Sequence, residues 1–244
     1  MKIVYAIPGP MSRGPMGAAE MRRREKLLNG WAFAGTQVSV RDTPTGPSSI
    51  ESAYEEALCV PAGLDLIKSV AEEGADAVII GCAGDPGLEA ARELVSIPVI
   101  GPGEASVLLA ASLGHRFSVV GVFDGMGATY RLQAFKAGCL DKYASMRASN
   151  VAVLDLMNDR EKSLSRIIAA GRQAIEQDGA DTLILGCMTM SFLGVEEAVS
   201  AELGVPVINA GRAALKHAEM LAGMGISHSR RAYPLPPKLQ PSAA

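Results

Sequence analysis

Two cysteines occupy matching places in this chain, each closing a strand-like run: GADAVIIGC ends at Cys82 and GADTLILGC ends at Cys187. A thiol with a reference pKa of about 8.5 needs only modest help to populate both protonation states near neutral pH, so it serves as either acid or base. Each cysteine follows a glycine at a strand end and precedes a helical pattern, where backbone amides and the positive end of the helix dipole favour a thiolate. After Cys82, Asp85 is the expected N-cap and Pro86 the first helical residue; after Cys187, Thr189 or Ser191 can cap. Two such thiols facing one carbon from opposite sides would remove a proton from one face and return one to the other. That chemistry inverts a stereocentre. Gly81, Ala83, Gly84 and Gly186 are small enough to leave backbone amides open to an enolate-like oxygen. The other two cysteines, Cys59 and Cys139, read as small buried hydrophobes, and no pair shows the C-x-x-C spacing of a metal or redox site.

The elements that must position the pair alternate between short aliphatic runs and longer helical patterns. Strands are expected at KIVYAI, TQVSVRD, DAVIIG and IPVIG, with helices near 16–30, 50–73 and 88–95 between them. The second half repeats the plan with RFSVVGV, NVAVLDL, DTLILG and VPVIN, and with helices from about 126 and over 161–178. An offset of 105 residues between positions 82 and 187 is the size of a small lobe rather than of a solenoid repeat. The expected fold is α/β: two pseudo-symmetric lobes, each a parallel sheet flanked by helices, with the active site in the cleft between them. Residues 1–100 and a returning helix at 212–228 would form the first lobe and 101–211 the second. Residues 229–244 read as a proline-rich tail, extended or disordered, or an arm against a neighbouring subunit.

The totals exclude several classes. A formal net charge of −3 over 244 residues offers no attraction to nucleic acid or anionic lipid. The one basic run, RRREK at 22–26, reads as the solvated face of an early helix. The N-terminus lacks the pattern of a secretory leader, no run reaches the length of a membrane span, and a cytoplasmic protein is expected. GPGEAS and GVFDGMG lack dinucleotide-site spacing, and His115, His217 and His228 show no metal-ligand spacing, so neither cofactor nor metal is expected. The partner implied is a small-molecule substrate.

Four stretches carry a more specific signal: GPSSIESAYEEAL, GADAVIIGCAGDPGLEAARELVSIPVIG, EASVLLAASLGHRFSVV, and LGCMTM with GVPVIN. On these the chain resembles the cofactor-independent aspartate/glutamate racemase superfamily, and within it the hydantoin and allantoin racemases. The resemblance implies that Cys82 and Cys187 are the acid/base pair, that Pro8, Gly9, Ala83, Gly84, Val122, Phe123, Met188 and Thr189 contact substrate, and that the enzyme is a homo-oligomer. The family's first-strand ending Asn-Pro-Asn-Thr is here Ile7-Pro8-Gly9-Pro10. Ala83 replaces a common aromatic, and Met188, Thr189 and Met190 follow the second cysteine. The loop residues imply a roomier, more apolar pocket that suits a bulky or neutral substrate better than free aspartate, for which there is no obvious charge clamp; the resemblance makes a 5-substituted hydantoin-like ring the leading substrate class. Ser48 and Glu51 have capping-box spacing. Cis-trans isomerisation as in maleate isomerase, decarboxylation as in arylmalonate decarboxylase, amino-acid racemisation and non-catalytic ligand binding are the alternatives on the same scaffold.

Overall fold

The computed structural model describes residues 1–240. Its first half runs β1 (Lys2–Ile7), α1 (Gly17–Trp31), β2 (Gln37–Asp42), α2 (Ala53–Glu72), β3 (Ala77–Ile80), α3 (Leu88–Leu94), β4 (Val99–Ile100) and α4 (Pro102–Leu113). The second half runs β5 (Phe117–Gly121), α5 (Gly127–Lys136), β6 (Tyr143–Ala148), α6 (Arg160–Asp178), β7 (Thr182–Leu185), α7 (Met188–Leu193), α8 (Glu196–Leu203), β8 (Val207–Asn209) and α9 (Ala210–Gly223). Two four-stranded parallel sheets result, ordered β2-β1-β3-β4 and β6-β5-β7-β8. The expected two-lobed α/β fold is therefore present, with the same strand order in each half.

Strands β3, β5 and β7 are buried along their whole length, and β1 along all but its first residue, because helices cover both sheet faces. Aliphatic runs are what such strands require. The lobes are tied by an exchange of helices: α4, which leaves the first sheet, packs on β7 and β8, and α9, which leaves the second, packs on β3 and β4.

The structure corrects two expected elements. NVAVLDL is not a strand; the fourth strand of the second sheet is YASMRA, Tyr143–Ala148. An edge strand needs no apolar run, and this one is half-buried throughout, with Ser145 and Arg147 both donating to Asp178. Asn150, at a φ of 54°, then turns the chain, and Val151, Val153 and Leu156 fill the second-lobe core from a loop. The second correction is α4, since the sequence pattern predicts no element between IPVIG and RFSVVGV.

The start of the tail and the residue before it lie against their own first lobe. Nε2 of His228 is 3.0 Å from the amide and the carbonyl of Val99, and Arg230 donates to the carbonyl oxygens of Arg92, Glu93 and Val95. Residues 241–244 lie outside the described residues. Among those described, no helix is long and apolar enough to cross a membrane.

Candidate active site

Each cysteine stands one residue beyond the last ladder hydrogen bond of an inner strand. Gly81 N donates to Ala6 O at 2.7 Å and Gly186 N to Val120 O at 2.9 Å, after which the chain departs from the sheet. These are the points where strand order reverses in each sheet, so a crevice opens above them. Glycine is required at both places. A Cβ on Gly81 would stand 2.8 Å from Ala6 O, and one on Gly186 would stand 2.4 Å from Val119 Cγ1 and 3.0 Å from the Tyr130 ring.

A buried tyrosine holds each glycine from below. Tyr5 donates to Gly81 O at 3.3 Å and Tyr130 to Gly186 O at 2.5 Å. Burial pushes both phenols above their ordinary range, so both remain neutral donors.

Cys82 and Cys187 line one cavity of about 80 Å³ between the lobes. Since a bound water occupies roughly 10–15 Å³ on this measure, the space admits a small ring with a substituent. Of the substrate contacts expected from the sequence, Pro8, Gly9, Ala83, Gly84, Val122, Met188 and Thr189 line it. Phe123 does not. It follows Val122 in extended backbone at a φ of −136°, so its ring turns to the opposite side and packs on the second-lobe core.

Burial raises the pKa of both thiols. For Cys82 the Gly84 amide works against that rise while the Glu56 carboxylate adds to it. For Cys187 the amides of Met190 and Thr189, then the Arg24 guanidinium, work against it. Arg24 is a correction to the solvated reading of RRREK and to the expected lack of a charge in the pocket. Arg22 and Lys26 are exposed, but Arg24 is 2% exposed and lines the cavity. Its partner in sequence is Leu28, the other buried residue of α1, four positions on. That i, i+4 stripe was the available signal, and charge composition hid it.

Three capping assignments also change. Asp85 does not cap α3, whose N-cap is Gly87 at a φ of 72°. Its carboxylate instead accepts from Gly103 N at 2.8 Å and Glu104 N at 2.7 Å, capping α4 across the GDPG turn. Burial pushes its pKa up to about 7. The capping box of α2 is Ser52 with Glu55, four positions beyond the expected Ser48 and Glu51. Ser48 lines the cavity, and Glu51 accepts from Val153 N at 2.8 Å, a bond across the lobes. After Cys187 neither Thr189 nor Ser191 caps: Cys187 is itself the N-cap residue of α7. The three histidines lie away from the cavity, and among the described residues no three His, Cys, Asp or Glu side chains group as a metal site would need.

Sheet order, paired strand-end thiols and a shared cavity define a class. The chain belongs to the Asp/Glu/Hydantoin racemase family, whose profile matches residues 17–218, and is an isomerase of the racemase type. It is 38% identical to the hydantoin racemase of Pseudomonas sp. (strain NS671), over 85% of this chain and 83% of that one. It is 34% identical to the hydantoin racemase of Paenarthrobacter aurescens, over 80% and 83% respectively. Among solved structures, the allantoin racemase from Pseudomonas fluorescens superposes with a TM-score of 0.89 at 30% identity, over 100% of both chains.

Proposed function

We propose that this protein racemises a 5-substituted hydantoin-like ring without a cofactor, one of Cys82 and Cys187 removing the proton from the ring carbon and the other returning one to the opposite face. The observation that carries the reading is that two sulfurs from matching positions of opposite lobes line one small cavity. The carbon's acidity comes from its adjacent carbonyl, so removing the proton places negative charge on an oxygen. Ser48 and Ser49, which line the cavity, offer hydroxyl donors to ring oxygens. Met11, Met16, Met126 and Met188 line it as well, and flexible thioethers suit an apolar substituent of variable shape.

Retention of both thiols favours this chemistry over a single-cysteine decarboxylation. The reading includes a homo-oligomer, for which the exposed Tyr54 and Leu58 on α2 and Leu132 and Phe135 on α5 offer apolar surface. Sedimentation of the purified protein at micromolar concentration decides that point.

The test follows each enantiomer of a 5-substituted hydantoin in deuterated water with wild type, Cys82→Ser and Cys187→Ser. Each single variant is expected to lose racemisation by at least about 1,000-fold and to retain hydrogen exchange with one enantiomer only, opposite ones for the two variants. Normal racemisation by both variants rejects the two-thiol mechanism. Lack of exchange of any hydantoin by wild type rejects the substrate class.

A further inference from the structure

The two thiols share a cavity but face unlike charges. Beside Cys187, Nη2 of Arg24 donates to Thr189 Oγ1 at 3.1 Å, and Nε donates to Glu20 at 2.9 Å. Glu20 also accepts from Nε and Nη2 of Arg23, so one carboxylate serves two guanidinium groups and the cluster keeps a net positive charge. The Arg24 guanidinium lies 4.7 Å from the centre of the Phe192 ring and is almost wholly buried, so its charge is little screened by solvent.

Beside Cys82 the nearest ionisable group is an acid, Glu56, whose pKa burial raises. Glu56 Oε1 stands 2.0 Å from the point where a Gly84 Cβ would begin, and Cys82 Sγ stands 3.7 Å from that same point. Among the described residues this buried oxygen has no hydrogen-bond partner.

We propose that Arg24 and Thr189 on one side and Glu56 on the other set the order in which the two thiols ionise before substrate binds, so that Cys187 gives up its proton more readily and Cys82 keeps its own. The inference rests on reading this pair as the acid/base couple. Arg24, Thr189 and Glu56 are positioning residues in it. The Thr189 hydroxyl accepts from Arg24, which leaves its single proton free to donate to the Cys187 sulfur two residues before it, an interaction that favours the thiolate. A cation linked to that sulfur through one hydroxyl stabilises its anion, whereas an ionised Glu56 opposes a second negative charge at Cys82. The remaining groups that face the pair leave this asymmetry intact. Tyr5 and Tyr130 are neutral and already donate to Gly81 O and Gly186 O. Cys59, pushed up to about 11 by burial and then by Glu56, remains a thiol. In turnover Cys187 takes the substrate proton and Cys82 gives its own, which leaves the pair inverted until protons exchange with solvent.

The test is a pH titration of the full chain labelled with [β-13C]cysteine and free of substrate, with signals assigned through Cys82→Ser and Cys187→Ser. Cys187 is expected to titrate below Cys82. Thr189→Val, nearly the same shape, should raise the Cys187 midpoint by about one pH unit and leave Cys82 in place. Arg24→Lys should raise it by less, and Glu56→Gln should lower the Cys82 midpoint alone. The proposal is overturned if Cys82 titrates at or below Cys187, or if Thr189→Val and Glu56→Gln move neither midpoint. A raised KM in Arg24→Lys with an unmoved Cys187 midpoint likewise overturns it, by assigning Arg24 to the substrate. Because no substrate is present, these midpoints are read whether or not the wild type racemises hydantoins, and the two readings fail separately.

Discussion

The shelf that carries Cys82 and the shelf that carries Cys187 agree in backbone up to the sulfur and differ in the loop after it. In both, an inner strand makes its last ladder bond at a glycine, a buried tyrosine bonds that glycine's carbonyl, and the thiol comes next. Beyond the thiol the first shelf makes a wide AGDPG turn pinned by Asp85 to the start of α4, whereas the second enters α7 at once. Duplication thus delivered two equivalent sulfur positions, while the differing loops and the helices packed above them delivered different charge. On the proposed two-thiol chemistry, the equivalence in geometry would reach both faces of a carbon and the inequality in charge would tell acid from base.

Substitutions at paired positions break this comparison in graded ways. The largest effect is expected at the glycines. Gly81→Ala should lower unfolding free energy by about 3 kcal/mol and Gly186→Ala by about 2 kcal/mol, because the first new methyl meets β1 backbone and the second meets side chains able to shift. Chemical denaturation measures both, and equal costs would show that the two strand ends yield alike.

Next comes Asp85, which has no counterpart in the second shelf. Asp85→Ala leaves two buried amides without an acceptor and should cost about 2 kcal/mol. Its raised pKa, about 7, also sets a pH dependence. Between about pH 4 and 7 the native state holds this proton more tightly than the unfolded chain does, so the contribution of Asp85 to stability falls as pH rises through that window. The stability of wild type minus that of Asp85→Asn, measured across the window, should decline with pH; a flat difference would place the proton elsewhere.

The smallest effects are expected at the tyrosines. Tyr130→Phe should cost about 1.5 kcal/mol and Tyr5→Phe about 0.5 kcal/mol, in keeping with the shorter bond from Tyr130. Thermal unfolding of the pair ranks them, and the reverse order would mean that the longer bond is the stronger.

Much of this molecule was legible in the order of its residues, and the reason is local. Buried parallel strands must be continuous aliphatic runs, so β1, β3, β5 and β7 announce themselves, and the repeated GAD…GC segments fix the two thiols at equivalent strand ends. Edge strand β6 carries no such run and was hidden by the more apolar loop after it. What only the tertiary structure decided are contacts across long stretches of chain. Arg24 meets Thr189 from 165 residues away, Glu51 meets Val153 from 102, and Asp85 caps a helix 18 residues on rather than the next one. A charge in a basic run is drawn inward only when a partner awaits it there, and that partner's position is a property of the packed chain.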